Sequence, residues 1–232
     1  MSSLAHFRHA IALIVLGLLI LICVHPANAQ PLFTGSEARP SDAVVLFDGK
    51  DLSEWMRCGS DEPAGWKVEN GYTEVRGGNI CTKRTFGDFQ LHLEFWLPLM
   101  AKAKGQARAN SGVYLQGRYE IQVLDSYGLK SQANDCGAMY GVAAPLVNAC
   151  RPPEQWQTCD VFFRAPRFDD EGNQISKARV SALQNGVWIH DNVEIPGSTV
   201  AAMGGDVVAS GPIMLQDHGN PVRYRNIWVR PL

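Results

Sequence analysis

Residues Asn110–Gly128 read NSGVYLQGRYEIQVLDSYG, and the spacing of apolar residues in this stretch decides the fold. Val113, Leu115, Tyr119, Ile121 and Val123 fall on one face of an extended strand, and Tyr114, Gln116, Arg118, Glu120 and Gln122 on the other. A period of two belongs to a strand with one face on a core and the other turned outward, the habit of antiparallel sheets. The outward face carries a carboxylate, amides, a guanidinium and a phenol at ~7 Å intervals. A merely solvated face would also be polar, but this combination suits a groove for sugar hydroxyls.

The flanking sequence repeats the pattern. Phe89, Leu91, Leu93, Phe95 and Leu97 alternate with Gln90, His92, Glu94 and Trp96. Asn70-Gly71 and Asn185-Gly186 each separate two short β-prone runs, the strongest short hairpin signal. Val44–Phe47, Asp160–Arg164, Ile213–His218 and Tyr224–Val229 add further strands, and no segment keeps a helical period. Many short strands separated by turns predict an all-β sandwich or barrel. If Phe89–Leu97 and Asn110–Asp125 are neighbours in one sheet, Glu94 and Trp96 share a surface with Glu120 and Tyr114.

The N-terminus reads as an export signal. Arg8 precedes the apolar run Ile11–Val24, and Ala27-Asn28-Ala29 offers small residues for cleavage. The run is short for a spanning helix of about 20 residues. The expected organisation is a signal peptide over 1–29, a lead over 30–42 and one domain over 43–232. The protein is then periplasmic or secreted, with no stable membrane anchor. A formal net charge of −2 and the lack of a basic cluster exclude a nucleic-acid partner. Cleavage at Ala29 leaves Cys58, Cys81, Cys136, Cys150 and Cys159, an odd number in a compartment that permits disulfides. Cys136–Cys150 is the preferred pair, closing a loop that bears Gly, Pro and Asn; Cys58–Cys81 is the second choice. No Cys or His pair has metal-ligand spacing, and no cofactor is evident.

Glu120 is the favoured acid or base, because the strand around it is otherwise apolar and aromatic. Asp125 stands before Ser126-Tyr127-Gly128 and reads as a turn cap. His218 ends an apolar run ahead of Gly219-Asn220-Pro221, at a loop mouth suited to proton transfer near neutral pH. Arg225 could polarise a carbonyl, or instead pair with a carboxylate such as Glu120. Ser41, Ser111 and Ser126 lack the context of a serine nucleophile.

These residues bring out a resemblance to the 3-keto-disaccharide hydrolase domain family. It is carried by LFDGKDLSEW (Leu46–Trp55), Phe89–Trp96, NSGVYLQGRYEIQVLDSYG, CGAMYGVAAPLVNACRPPEQWQT (Cys136–Thr158) and LQDHGNPVRYRNIWVRPL at the C-terminus. The resemblance implies a concanavalin A-like jelly roll of two antiparallel sheets, one concave, and supports the Cys136–Cys150 pair. It also implies cleavage of glycosides already oxidised to a ketone at C3, downstream of a sugar 3-dehydrogenase. The adjacent carbonyl acidifies the C2 proton, a base removes it, and the C1–O bond breaks by elimination; water then adds. On that plan Glu120 and His218 are base and acid in either order. Arg225, with Arg118 or Gln122, stabilises the enolate oxygen. Glu94, Tyr114, Gln116, Gln216 and Asn220 bind the ring. Some relatives are expected to use a divalent metal, of which this sequence gives no independent sign.

Two other readings fit the same residues. A jelly-roll glucanase would carry Glu-x-Asp-x-x-Glu, where this chain has Glu120-x-Gln122-x-x-Asp125. A non-catalytic sugar-binding module would use Trp96, Tyr114 and the polar row for stacking and hydrogen bonds alone.

Overall fold

Both Asn-Gly dipeptides turn the chain as their chemistry demands. Asn70 and Gly71 (φ 48° and 80°) and Asn185 and Gly186 (φ 53° and 78°) all occupy positive φ, as a tight hairpin turn requires. In the computed structural model, which describes residues 39–232, these turns sit within fifteen strands. They are β1 (Val44–Phe47), β2 (Trp55–Arg57), β3 (Lys67–Glu69), β4 (Tyr72–Glu74), β5 (Ile80–Thr82), β6 (Phe89–Trp96), β7 (Ser111–Leu115) and β8 (Tyr119–Val123). There follow β9 (Trp156–Arg164), β10 (Arg167–Phe168), β11 (Gln174–Ser176), β12 (Ala178–Gln184), β13 (Val187–Ile195), β14 (Met214–Leu215) and β15 (Arg223–Pro231).

The strands form an eight-stranded sheet in the order β13-β12-β9-β6-β15-β4-β3, with β1 also on β15, and a five-stranded sheet in the order β2-β5-β14-β7-β8. The pairings in both are antiparallel, and β10–β11 makes a separate ribbon. The apolar faces meet. Phe89, Leu91, Leu93 and Phe95 of β6 and Val161 and Phe163 of β9 are buried with Val113, Leu115, Tyr119, Ile121 and Val123 of the smaller sheet. Tyr119 and Phe163 bring their rings to 5.4 Å across the core. The Tyr224 hydroxyl donates to Ser111 Oγ at 2.7 Å, a buried polar tie between layers. The fold is thus an all-β jelly-roll sandwich. Residues 1–38, with the expected signal peptide, lie outside the described residues. No helix among the described residues is long and apolar enough to cross a membrane.

Asn110–Gly128 differs from the single strand its alternation suggests: it is a hairpin. Gln116 and Gly117 both take positive φ (52° and 65°), and the Arg118 N–H closes the turn on the Leu115 carbonyl at 3.0 Å. The connection Gln116–Arg118 has an odd number of residues, so Tyr114 faces Glu120 and Gly112 faces Gln122 in the ladder. Parity therefore survives the reversal, and the polar residues still share one face.

Gln116 has a structural role at that turn instead of a place in a binding groove. It is fully buried, and Nε2 donates to the carbonyls of Phe86 at 3.0 Å and Ala209 at 3.1 Å. Gln116→Ala would leave those acceptors bare and is expected to cost about 2 kcal/mol of stability, read by urea unfolding. An unchanged midpoint would contradict this role.

The cysteine pairing is also corrected. Cys58 and Cys81 form the disulfide, with Cα atoms 5.1 Å apart beside the paired strands β2 and β5. Cys136 and Cys150, the expected pair, are free thiols. They lie against each other with the Gln184 amide on both sulfurs, at 3.6 and 3.5 Å. The hydrogen bond between them, reinforced by burial, pushes the Cys136 thiol up.

Candidate active site

The polar face of the β7–β8 hairpin is the floor of a pocket of about 160 Å³. That is below the ~300–1,000 Å³ of drug-sized sites and suits a single sugar ring. Tyr114 comes from β7, Glu120 and Gln122 from β8, and Gln216 and His218 from the chain following β14. Gln106, Asn110 and Tyr140 complete the wall, with Val200 and Ala201 from the long connection 196–213.

Glu120 is the one carboxyl in the pocket lining. Its residue is only 4% exposed, and burial pushes the carboxyl up to about 7, with the Tyr114 hydroxyl acting in the opposite direction. Its backbone is fixed on both sides: the N–H donates to Thr199 Oγ1 at 3.0 Å, and the carbonyl accepts from the Tyr140 N–H at 3.0 Å. Gly112 makes room for the side chain. A Cβ at Gly112 would stand 2.5 Å from Glu120 Oε1 and 3.0 Å from a Tyr114 ring carbon. A glycine inside a strand often marks such an approach.

Tyr114 is fully buried; burial first, then the Glu120 charge, hold its phenol above the ordinary range, so it keeps its proton. Its hydroxyl donates to the Val200 carbonyl at 3.0 Å and accepts from Gln216 Nε2 at 3.1 Å. Gln122 Nε2 donates to Gln106 Oε1 at 2.8 Å, and Asn110 Nδ2 reaches the same oxygen at 3.1 Å. His218 is exposed at the mouth. The pocket thus combines one desolvated carboxyl, one protonated phenol, one accessible imidazole and a chain of amides.

Five of the expected site residues meet here: Tyr114, Glu120, Gln122, Gln216 and His218. Glu94 and Arg225 do not. They pair with each other at 2.7 Å on the eight-stranded sheet, Arg225 lying 4.1 Å from the Trp156 ring centre. The reason is architectural: apolar faces meet in a sandwich, so the polar faces of its two sheets point in opposite directions. The strand carrying Glu94 belongs to the other sheet, and cannot share a surface with Glu120. Arg118 is held by the Asp206 carbonyl at 2.9 Å, beside the turn. Asn220 sits behind the site, its Oδ1 accepting from the Asn110 N–H at 2.7 Å. Asp125 accepts from Arg108 at 2.6 Å and caps the Tyr127 N–H at 3.4 Å, in keeping with its turn reading. Arg225→Ala is therefore expected to leave kcat/KM within about threefold and to cost at most ~1 kcal/mol, as a half-exposed ion pair does. A hundredfold loss of activity would restore Arg225 to the site.

Sequence reasoning missed Gly112, Gln106, Tyr140 and Thr199. Gly112 carried a signal, a glycine amid an alternating strand; the others come from irregular segments with no periodicity to read. A tightly held metal does not fit this pocket. Its polar side chains are one carboxylate, one imidazole, two phenols and amides, and among the described residues no three His, Cys, Asp or Glu side chains converge.

An antiparallel sandwich with a small polar pocket on one outer face is the architecture of jelly-roll carbohydrate-active proteins. The chain belongs to the 3-keto-alpha-glucoside-1,2-lyase-like domain family, whose model matches residues 42–230. It is 23% identical to a 3-keto-disaccharide hydrolase of Bacteroides thetaiotaomicron, over 83% of this chain and 80% of that one. A Parabacteroides distasonis protein assigned to the glycosyl hydrolases, known from its crystal structure, is 41% identical with a TM-score of 0.77, over 83% of this chain and 85% of that one. A second from the same organism shares the fold at 19% identity, with a TM-score of 0.59 over 82% and 94%.

Proposed function

We propose that the Glu120 pocket cleaves the glycosidic bond of 3-keto-glycosides by elimination, followed by hydration of the product. The observation that carries this reading is a buried carboxyl near neutral pKa, beside a protonated phenol, in a chain of this family. A ketone at C3 makes the C2 hydrogen removable by a carboxylate, and desolvation strengthens Glu120 for that task. The ionised fraction of Glu120 takes the C2 proton, and the electron pair moves into the enolate of the C3 ketone. As the enolate collapses, the C1–O bond breaks and the departing oxygen takes a proton from His218 at the mouth. The Gln122 and Gln216 amides, each with a second N–H beyond the one already engaged, serve in this reading as the neutral donors to the enolate oxygen, in place of arginines, and Tyr114 holds the Gln216 amide. Water adding across the resulting double bond gives net hydrolysis.

The substrate must come from an enzyme that oxidises the C3 hydroxyl of a glycoside, a sugar 3-dehydrogenase. With Met1–Ala29 removed on export, both would act outside the cytoplasm. Incubation with a 3-keto-glucoside and with the unoxidised glucoside tests the reading. Aglycone release from the keto-sugar alone is expected. Release from the plain glucoside would point to an ordinary glycosidase, and binding without turnover to a sugar-binding module.

A further inference from the structure

A second concavity, of about 270 Å³, lies on the eight-stranded sheet, between β9, β12 and β13. Phe162, Ser181 and Trp188 line it with Arg164, Arg179 and Leu232. Trp188 is 50% exposed, an indole presented to solvent. The β12–β13 ladder is irregular alongside, with register shifts around Ala182. Asn192, at φ 49°, donates its N–H to Ser181 Oγ at 2.9 Å. Bulges of this kind re-aim side chains and are common beside binding sites.

The charges are the informative part. Arg164 and Arg179 are direct cross-strand partners, an arrangement that repels. Arg179 has a carboxylate, Glu194, at 2.7 Å, but Lys177 shares it at 3.1 Å. Arg164 has no ion pair among the described residues, and nearby Asp88 is engaged by Arg167. A cation left unpaired opposite another cation, beside a bare indole, fits a ligand that carries both an anion and a flat apolar ring face.

We propose that this groove is an accessory site for uronic-acid residues of a polysaccharide. The C–H face of the pyranose stacks on Trp188, and the sugar carboxylate is received by the Arg164 guanidinium, with Arg179 beside it. The site is independent of the Glu120 chemistry and would persist if that reading failed.

Titration of the full chain with a galacturonate trisaccharide, followed by calorimetry, tests it. Binding is expected, weakened at least tenfold in both Trp188→Ala and Arg164→Gln and unchanged in Glu120→Gln. A neutral glucose trisaccharide and inorganic tripolyphosphate are expected to bind at least tenfold more weakly than the uronate. The proposal is overturned if the wild type does not bind the uronate or if binding survives Arg164→Gln. It is equally overturned if Glu120→Gln abolishes binding, or if tripolyphosphate binds as well as the sugar. Arg164 is exposed, so its variant decides the matter even if Trp188→Ala fails to fold.

Discussion

Glu120→Gln is expected to lower kcat/KM on a 3-keto-glucoside by about a thousandfold, within the range for loss of a positioned general base, while making the protein more stable at alkaline pH. The two effects share one cause. The folded chain holds the Glu120 proton up to about pH 7 against an ordinary value of 4.5, because ionisation strands a charge in a buried pocket. The unfolded carboxyl loses its proton near its ordinary value. Between these pH values the unfolded state binds fewer protons, so wild-type stability falls as pH rises, and above pH 7 the loss is complete. The shift corresponds to roughly 3 kcal/mol, or up to ~10 °C in Tm for a domain of this size. Glutamine cannot ionise and escapes that loss. The Tm of the variant should therefore exceed the wild type at pH 8, with the gap closing by about pH 4.5. Wild-type turnover by the variant, or a gap independent of pH, would remove Glu120 from its role.

Gly112→Ala should be nearly as damaging, although it adds one methyl group and changes no charge. The new Cβ would lie 2.5 Å from Glu120 Oε1 and 3.2 Å from Cδ. The carboxyl is the mobile partner, so it moves. A misplacement of about 1 Å in a reacting group can cost 10²-fold in rate, and a loss of that order in kcat is expected. The hairpin should persist, since its backbone pairing and core face are untouched. Full activity in Gly112→Ala would show that the observed carboxyl position is not the productive one.

Much of this was legible in the sequence, for identifiable reasons. Asn-Gly turns and two-residue alternation act within a few residues of chain, so the hairpins at 70–71 and 185–186 and the face shared by Tyr114, Glu120 and Gln122 were all readable. The turn at Gln116–Arg118 was not, because an odd-length connection leaves the alternation unbroken and mimics one long strand. The choice of sheet was not readable either. Alternation says which residues turn outward but not on which side of the sandwich, so Glu94, outward on the other sheet, looks the same in sequence as a neighbour of Glu120, and the cluster around Arg225 carries no mark of its sheet either. Cys136–Cys150 fits a loop-closing pattern, yet the bonded pair is Cys58–Cys81, brought together by the β2–β5 ladder. Thr199 and Val200 reach the site through residues 196–213, where no period exists to be read.

Elimination makes a claim about one hydrogen atom. Proton NMR of a 3-keto-glucoside turned over in deuterium oxide, with Glu120→Gln as the control for spontaneous exchange, follows that atom directly. The account predicts that the C2 proton disappears in step with aglycone release, leaving either an unsaturated sugar or a hydrated product with deuterium at C2. Aglycone release with the original proton retained at C2 would contradict it.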